Sequence, residues 1–468
     1  MNSYNKKLAG LVFGGALALV VLSTGPAFSQ TLREALAAAY TNNPELLAQR
    51  ETLRSTVEGV PQALANWRPT VTLEGDYGKS WSHLNTRTPR DARREPHSAG
   101  LEVSQPLFRG LRTTASVNKS EFDVLAGRAT LDAKEQDILQ SAVTAFMNVV
   151  RDQALLDLRV NNEQVLGRQL GATRDRFNVG EITRTDVSQA EARLAGARAA
   201  RVAAEGTLQS SRAVYLNVVG EAPGELIPPT VPEDLPSSLE ATLATARVNH
   251  PDVQSSMYSE QSAQENIKLV NGELLPTLSL TGSVTRLWQS TTNDSQQTTQ
   301  AVTLDLSVPI YEKGAVYSRL RSAKILAGKS RLDLDNVRSD TIQAASQSWE
   351  ALKTARAQIQ SFDSQIAAAE IALEGVQREA AVGSRTVLDI LDAEQELLNA
   401  RVSLVSARRD EIVASYQLKE SVGEFTAQRL QLPVNIYDPT EYYNRVRNKW
   451  WGADVPGPNP SIGVNENQ

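Results

Sequence analysis

The sequence predicts a mainly α-helical fold with a small membrane-spanning β portion, the whole duplicated within one chain. Three observations carry this prediction. Long stretches free of proline, from Pro106 to Pro223 and from Pro309 to Pro433, hold apolar residues spaced by three and four. Two pairs of short segments alternate apolar and polar residues, and each pair lies between long helical patterns. The stretch Gly180–Leu194 (GEITRTDVSQAEARL) returns as Gly383–Leu398 (GSRTVLDILDAEQELL). In both copies an Asp follows the Gly by six residues, an Ala-Glu pair follows the Asp by four and five, and a Leu by eight.

Composition narrows the function. The chain has 468 residues, a net charge of −6 and no cysteine. Thiol chemistry, disulfides and cysteine metal sites are therefore excluded, and a nucleic-acid partner has no electrostatic support. The three histidines, His83, His97 and His250, are far apart, and no hydrolase, zinc or nucleotide motif occurs. No catalysis, cofactor or metal is expected. Lys6 and Lys7, the apolar run Leu8–Leu22 and the small-x-small site Ala27-Phe28-Ser29 read as a signal peptide over residues 1–29. No later run is long and apolar enough for a spanning helix, so a membrane would be met through strands.

The first unit, 30–222, opens with a helix expected from about Leu32 to Asn66. Strands follow at Thr70–Tyr77 and Leu101–Phe108, around a polar, Arg-rich loop from Asn85 to Pro96. The second unit, 239–432, repeats this order. A helix is expected over Leu239–Glu273, with strands at Leu278–Val284 and Val302–Val308 around a Ser/Thr/Asn/Gln loop. Trp67, Tyr77, Trp81, Phe108, Trp288 and Tyr311 lie at or near strand ends, where interfacial aromatics sit. From periodicity alone, two ordinary hairpins in a soluble sheet remain an alternative.

A heptad seam runs through Ile342, Ala345, Trp349, Leu352, Ala355, Ile359, Phe362, Ile366, Ala369, Leu373 and Val376. It resumes beyond Gly383 as Leu391, Leu398, Val405 and Ile412, with Ile390, Leu397 and Leu404 beside it. A second row means packing on two sides, as in the wall of a tube. The helix before each turn reads as about 65 residues, or about 100 Å long. Residues 223–238 form a Pro-rich linker. In 433–468, Tyr442, Tyr443, Trp450 and Trp451 suggest a docked segment, followed by a disordered tail beyond Gly452.

Four strands cannot close a barrel, and an open edge in lipid leaves backbone groups unpaired at several kcal/mol each. Single-chain barrels start at about eight strands. Several chains must share one barrel, and strand arithmetic allows two or three.

Signal peptide, duplicated unit, strand pairs, long helical hairpins and the turns FNVGEITRTD and VGSRTVLDILDA together resemble the TolC family of outer-membrane efflux and secretion ducts. The resemblance implies a homotrimer with a shared twelve-stranded β-barrel in outer-membrane lipid, continued by a trimeric α-barrel across the periplasm. It also implies a periplasmic adaptor protein and an inner-membrane transporter as partners, with drugs or unfolded proteins as cargo. The two turns would form an entrance that rests closed. By motif position Thr185, Asp186 and Arg385 resemble residues whose polar contacts hold the inner helices together. Asp389 and Asp392 resemble an inward-facing acidic ring, and Gly180 and Gly383 are the turn glycines. The family often carries an aromatic three residues before the second glycine; here that position is Ala380.

Spacing alone also supports simpler roles. Thr183 with Asp186, and Thr386 with Asp389, fit a capping box. Arg385 and Asp389 are spaced to pair within one helix. A capping Asp can also face a lumen, so the roles are compatible. A rival from another class is an exported trimeric coiled-coil structural or adhesion protein with no pore.

Overall fold

The structure, a computed structural model, describes residues 29–85, 90–455 and 457. The predicted signal peptide, apart from Ser29, and most of the predicted tail beyond Gly452 lie outside them.

Strand β1 (Ser29–Gln30) leads into α1 (Leu32–Asn42), α2 (Pro44–Val57) and α3 (Gly59–Ala65). The single helix expected from Leu32 to Asn66 is thus three. Asn43 ends α1 in an extended conformation and caps α2, accepting from the amides of Glu45 and Leu46. Pro44 takes the first helical position, where its missing N–H is no loss. The second unit breaks in the same way at His250-Pro251, giving α6 (Leu239–Asn249) and α7 (Pro251–Asn271), closed by a 3₁₀ turn at Gly272–Leu274. An amphipathic pattern survives such a break, which is why periodicity alone did not reveal it.

Strand β2 (Thr70–Tyr77) falls where alternation placed it. Next come β3 (Ser80–Leu84), β4 (Arg90–Arg94) and β5 (His97–Arg109). The segment expected to be an Arg-rich loop therefore contains a strand, because β4 pairs with β3 antiparallel. Ladder bonds are made by backbone groups, so a charge-rich run can pair without alternating. Helix α4 (Arg112–Asn178) runs 67 residues down to the first turn, and α5 (Arg184–Val219) returns. The linker is not featureless: β6 (Glu225–Leu226) pairs parallel with β1, and Asp234 holds the buried ammonium of Lys419. After α6 and α7, strands β7 (Thr277–Trp288) and β8 (Gln296–Ser307) form the second hairpin. Helix α8 (Ala315–Ala381) again spans 67 residues, α9 (Val387–Ser421) returns, and a short α10 (Glu441–Val446) follows.

The two hairpins join in one antiparallel sheet of order β2-β5-β7-β8. Register sorts the side chains. One face carries rows such as Val71–Val103–Gly282–Val302, with Leu73–Leu101–Val284 beside it. The other carries Thr72–Glu102–Ser283–Ala301 and Thr70–Ser104–Thr281–Thr303. Val71, Leu73, Val302, Leu304 and Leu306 are exposed in the single chain. At the far end Tyr77, His97 and Trp288 stand in one row, with the His97 and Trp288 rings stacked at 5.0 Å. Strands of twelve residues, tilted as barrel strands are, match an apolar band about 25 Å tall.

The main core lies between sheet and turns, where α1, α2, α3 and α9 pack on α4, α1 also on α5, and α10 on α2, around Leu139, Phe146, Tyr215 and Phe425. Among the described residues no helix is long and apolar enough to cross a membrane.

Candidate functional site at the two helical turns

The turns lie at the end of the molecule remote from the sheet, because each 67-residue helix starts at the foot of a strand and ends in a turn. Both turns close alike. The amide of Glu181 donates to the carbonyl of Arg176 (3.0 Å), and that of Ser384 to Glu379 (3.0 Å). These are six-to-one bonds that seal a helix C-terminus and place the residue just before the donor in the left-handed region. Gly180 and Gly383 supply it, with φ of +83° and +80°.

Each return helix then starts with a capping box. Thr183 accepts from the Asp186 amide, while Asp186 Oδ2 accepts from the Thr183 amide (2.9 Å) and hydroxyl (2.7 Å). Thr386 and Asp389 repeat this at 2.8 Å for both bonds. The Thr183 hydroxyl and amide hold the Asp186 carboxyl below the usual carboxylate range. The Thr386 amide and hydroxyl do the same for Asp389. Both stay ionised at neutral pH.

Within one chain Asp186 and Arg385 do not meet. Arg385 donates through Nε to Glu379 at 2.8 Å, on the helix that enters its own turn, and Thr185 is exposed. Asp389 is not the ion-pair partner of Arg385, although each acts on the other electrostatically. Asp392 is held by Arg193 of α5, whose Nη2 donates at 2.6 Å. Among the described residues this is the one ion pair recorded between the first long hairpin and the second. It sits over an apolar cluster in which Val387 and Leu391 of α9 pack on Leu166, Leu170, Ala190 and Leu194. Ala380 is buried, at 3% exposure.

Sequence reasoning missed Glu379 and Arg193. Glu379 lies on the entering helix, six residues before Arg385, beyond the three or four spacing that signals a pair on one helix. Arg193 is 199 residues from Asp392. Its one sequence signal is its place seven residues after Asp186, on the same helix face.

A sequence model of the outer membrane efflux protein family matches residues 35–220 and 242–424, once for each repeat. The chain belongs to that family. The efflux protein BepC of Brucella suis is 37% identical over 437 residues, covering 93% of this chain and 94% of BepC. TolC of Vibrio cholerae is 25% identical over 434 residues, covering 90% and 97%. In fold, the CmeC outer membrane channel of Campylobacter jejuni superposes with a TM-score of 0.78 at 15% identity, covering 95% of this chain and 98% of CmeC. This efflux-family chain is thus an outer-membrane channel, with its sheet in the membrane and its helical part in the periplasm. The non-conducting coiled-coil reading is overturned by the same match. The open sheet edges at β2 and β8 agree with a channel wall that further strands must complete.

Proposed function

We propose that three copies close this channel, each β8 edge pairing with the β2 edge of the next, and that the assembly is the exit duct of an efflux pump. The observation that carries this is the sheet itself. It has four strands, one apolar face, one polar face and two open edges. Three such sheets give a barrel of ordinary size for a water-filled passage. A periplasmic adaptor and an inner-membrane transporter supply the drive, since the chain carries no nucleotide motif. Small-molecule export is favoured over protein secretion because BepC, by name an efflux protein, is so similar along nearly its whole length. The chain divides as repeats 30–222 and 239–432 about a linker, 223–238.

The turns form the periplasmic entrance and rest closed. Thr185 and Asp186 of one copy face Arg385 of the next, and these contacts hold the second hairpin inward. Asp389 supplies an acidic ring, three carboxylates around one opening, that favours cations. Asp392 adds less to that ring than spacing suggests, because Arg193 neutralises it. The same pair takes over part of the restraint that an aromatic at position 380 would give.

Single-channel recording in planar bilayers tests the entrance. Asp186→Ala or Arg385→Ser should raise conductance several-fold, and unchanged conductance in both would remove the gate. Asp389→Ala should lower cation selectivity, read as a shift in reversal potential under a salt gradient. Arg193→Ala should raise it by freeing Asp392. Cross-linking in cells followed by capture of the trimer should bring down one adaptor and one transporter.

A further inference from the structure

The C-terminal segment docks only in part. Tyr442 and Val446 are buried, and the Tyr442 and Tyr443 hydroxyls donate to Glu58 (2.6 Å) and Glu121 (2.7 Å). The two tryptophans that follow do not dock: Trp450 is 64% exposed and Trp451 is 87% exposed. This corrects the expectation that all four aromatics are covered. The pair is nonetheless held in place. Arg68 donates to the Lys449 carbonyl at 2.8 Å, and its guanidinium lies 4.8 Å from the centre of the Trp450 ring. Arg68 stands two residues before β2 begins, so Trp450 is fixed at the periplasmic foot of the sheet. There the exposed Val71 opens the apolar face, and Trp67 is itself 47% exposed.

We propose that Trp450 and Trp451 lie in the headgroup layer of the inner leaflet of the outer membrane, as a lipid-contacting foot of each copy. An indole is a large apolar body with a polar N–H, which suits the boundary between acyl chains and headgroups. The pair is continuous with the apolar face of the sheet, and it stands at the height where that face begins. Charge agrees. Arg445, Arg447 and Lys449 precede the pair within five residues of Trp450. Among the described residues Arg445 and Arg447 have carboxylate partners, Glu441 and Glu121, while the Lys449 ammonium donates only to the Asp454 carbonyl. That leaves Lys449 free to meet a phospholipid phosphate without giving up an ion pair. Trp81 and Trp288 serve the other rim, which leaves the foot of the sheet to Trp67, Trp450 and Trp451.

Fluorescence of the full-length protein in vesicles of phosphatidylethanolamine and phosphatidylglycerol tests this, with part of the lipid brominated near the carbonyl end of its chains. A variant with Trp67, Trp81, Trp288 and Trp349 changed to Phe leaves only the pair. Its emission should be blue-shifted and should fall by about half with brominated lipid. Emission that brominated lipid leaves unchanged overturns the proposal in either case. If acrylamide quenches it, the pair is in water; if neither agent does, the pair is covered by another copy. The complementary variant, Trp450→Phe with Trp451→Phe, removes two of the five membrane-level tryptophans. It should lose a large part of the lipid-quenchable emission of the native protein while its conductance stays native. An undiminished quenchable fraction counts against the proposal even if the four-Phe variant does not fold.

Discussion

Helices α4 and α8 are copies of equal length, yet the first buries 19 side chains and the second 10 among the described residues. The difference lies in what each repeat lays against its long helix. Helix α4 is packed by α1, α2 and α3 as well as by α5, α7 and α9, whereas α8 has only α6, α7 and α9 among the described elements that pack on it closely. Positions related by the 203-residue offset show the result. Ala129 is 4% exposed, and its counterpart Leu332 is 65% exposed. Phe122 is half-buried, and its counterpart Ile325 is 72% exposed. Duplication preserved the backbone while the surfaces diverged, one becoming the core of a single chain and the other, in the proposed trimer, a seam for the next copy. Fully covering a Leu or Ile side chain stabilises by about 1.5–3 kcal/mol, and a closed ring repeats that gain at every joint.

The largest expected effect sets these faces against each other. Ile325→Glu with Leu332→Glu should leave a folded chain, native by circular dichroism, that runs as a monomer in detergent by light scattering. Ala129→Glu, at the same place in the first repeat, should instead unfold the chain, because a buried unpaired charge costs several kcal/mol. A trimer that survives the α8 double substitution would show that the exposed row is not the seam.

Much of this asymmetry was out of reach of the sequence, and the reason is physical. Apolar period alone places a residue on a face. It does not say whether the chain itself or another copy covers that face. The seam from Ile342 to Val376 was legible because every one of its positions turns toward a neighbour and is buried or half-buried. The capping boxes were legible because a Thr and an Asp three apart close on each other locally. By contrast, Arg193–Asp392, Arg68–Trp450 and the β5–β7 pairing join residues far apart in the chain, 199 positions for the first and as many as 191 within the last. Nothing in the spacing of one sequence marks such contacts. The Asn43-Pro44 break was written in the sequence as a cap before a first-turn proline, and the continuing apolar pattern masked it.

A smaller effect concerns the joint between the repeats. Burial raises the Glu420 carboxyl of α9 to about 8, helped by Asp137 of α4 and Asp252 of α7. Burial likewise raises Glu135 of α4 to about 7, against the bond it accepts from the Ala427 amide. Between about pH 4.5 and 8 the fold therefore keeps protons that the unfolded chain has released. Stability is greatest at the acid end of that window and declines as pH rises through it. Thermal unfolding of the detergent-solubilised protein should show Tm falling from pH 5 to pH 8. Glu420→Gln should flatten that slope and raise Tm at pH 8. A Tm independent of pH over the window would mean that the joint is open enough for both carboxylates to ionise freely.

The smallest effect separates the two turns, whose local chemistry is the same. Removing the capping hydroxyl by Thr183→Ala or Thr386→Ala deletes equivalent bonds, each substitution being worth about 1 kcal/mol locally. The packing behind them differs. Helix α9 begins with Val387 and Leu391 at 5% and 2% exposure, seated on the first hairpin, while Val187 at the start of α5 is only half-buried. A first turn pinned by buried side chains opens only when that packing opens, so loss of its cap is partly hidden. A first turn without such pins frays by the full amount. Hydrogen exchange should therefore speed up about fivefold at the amides following Thr183 in Thr183→Ala, since about 1 kcal/mol is a factor of five. The amides following Thr386 should change less in Thr386→Ala. Equal acceleration at both turns would mean that Val387 and Leu391 do not restrain the start of α9. The entrance would then rest on polar contacts alone.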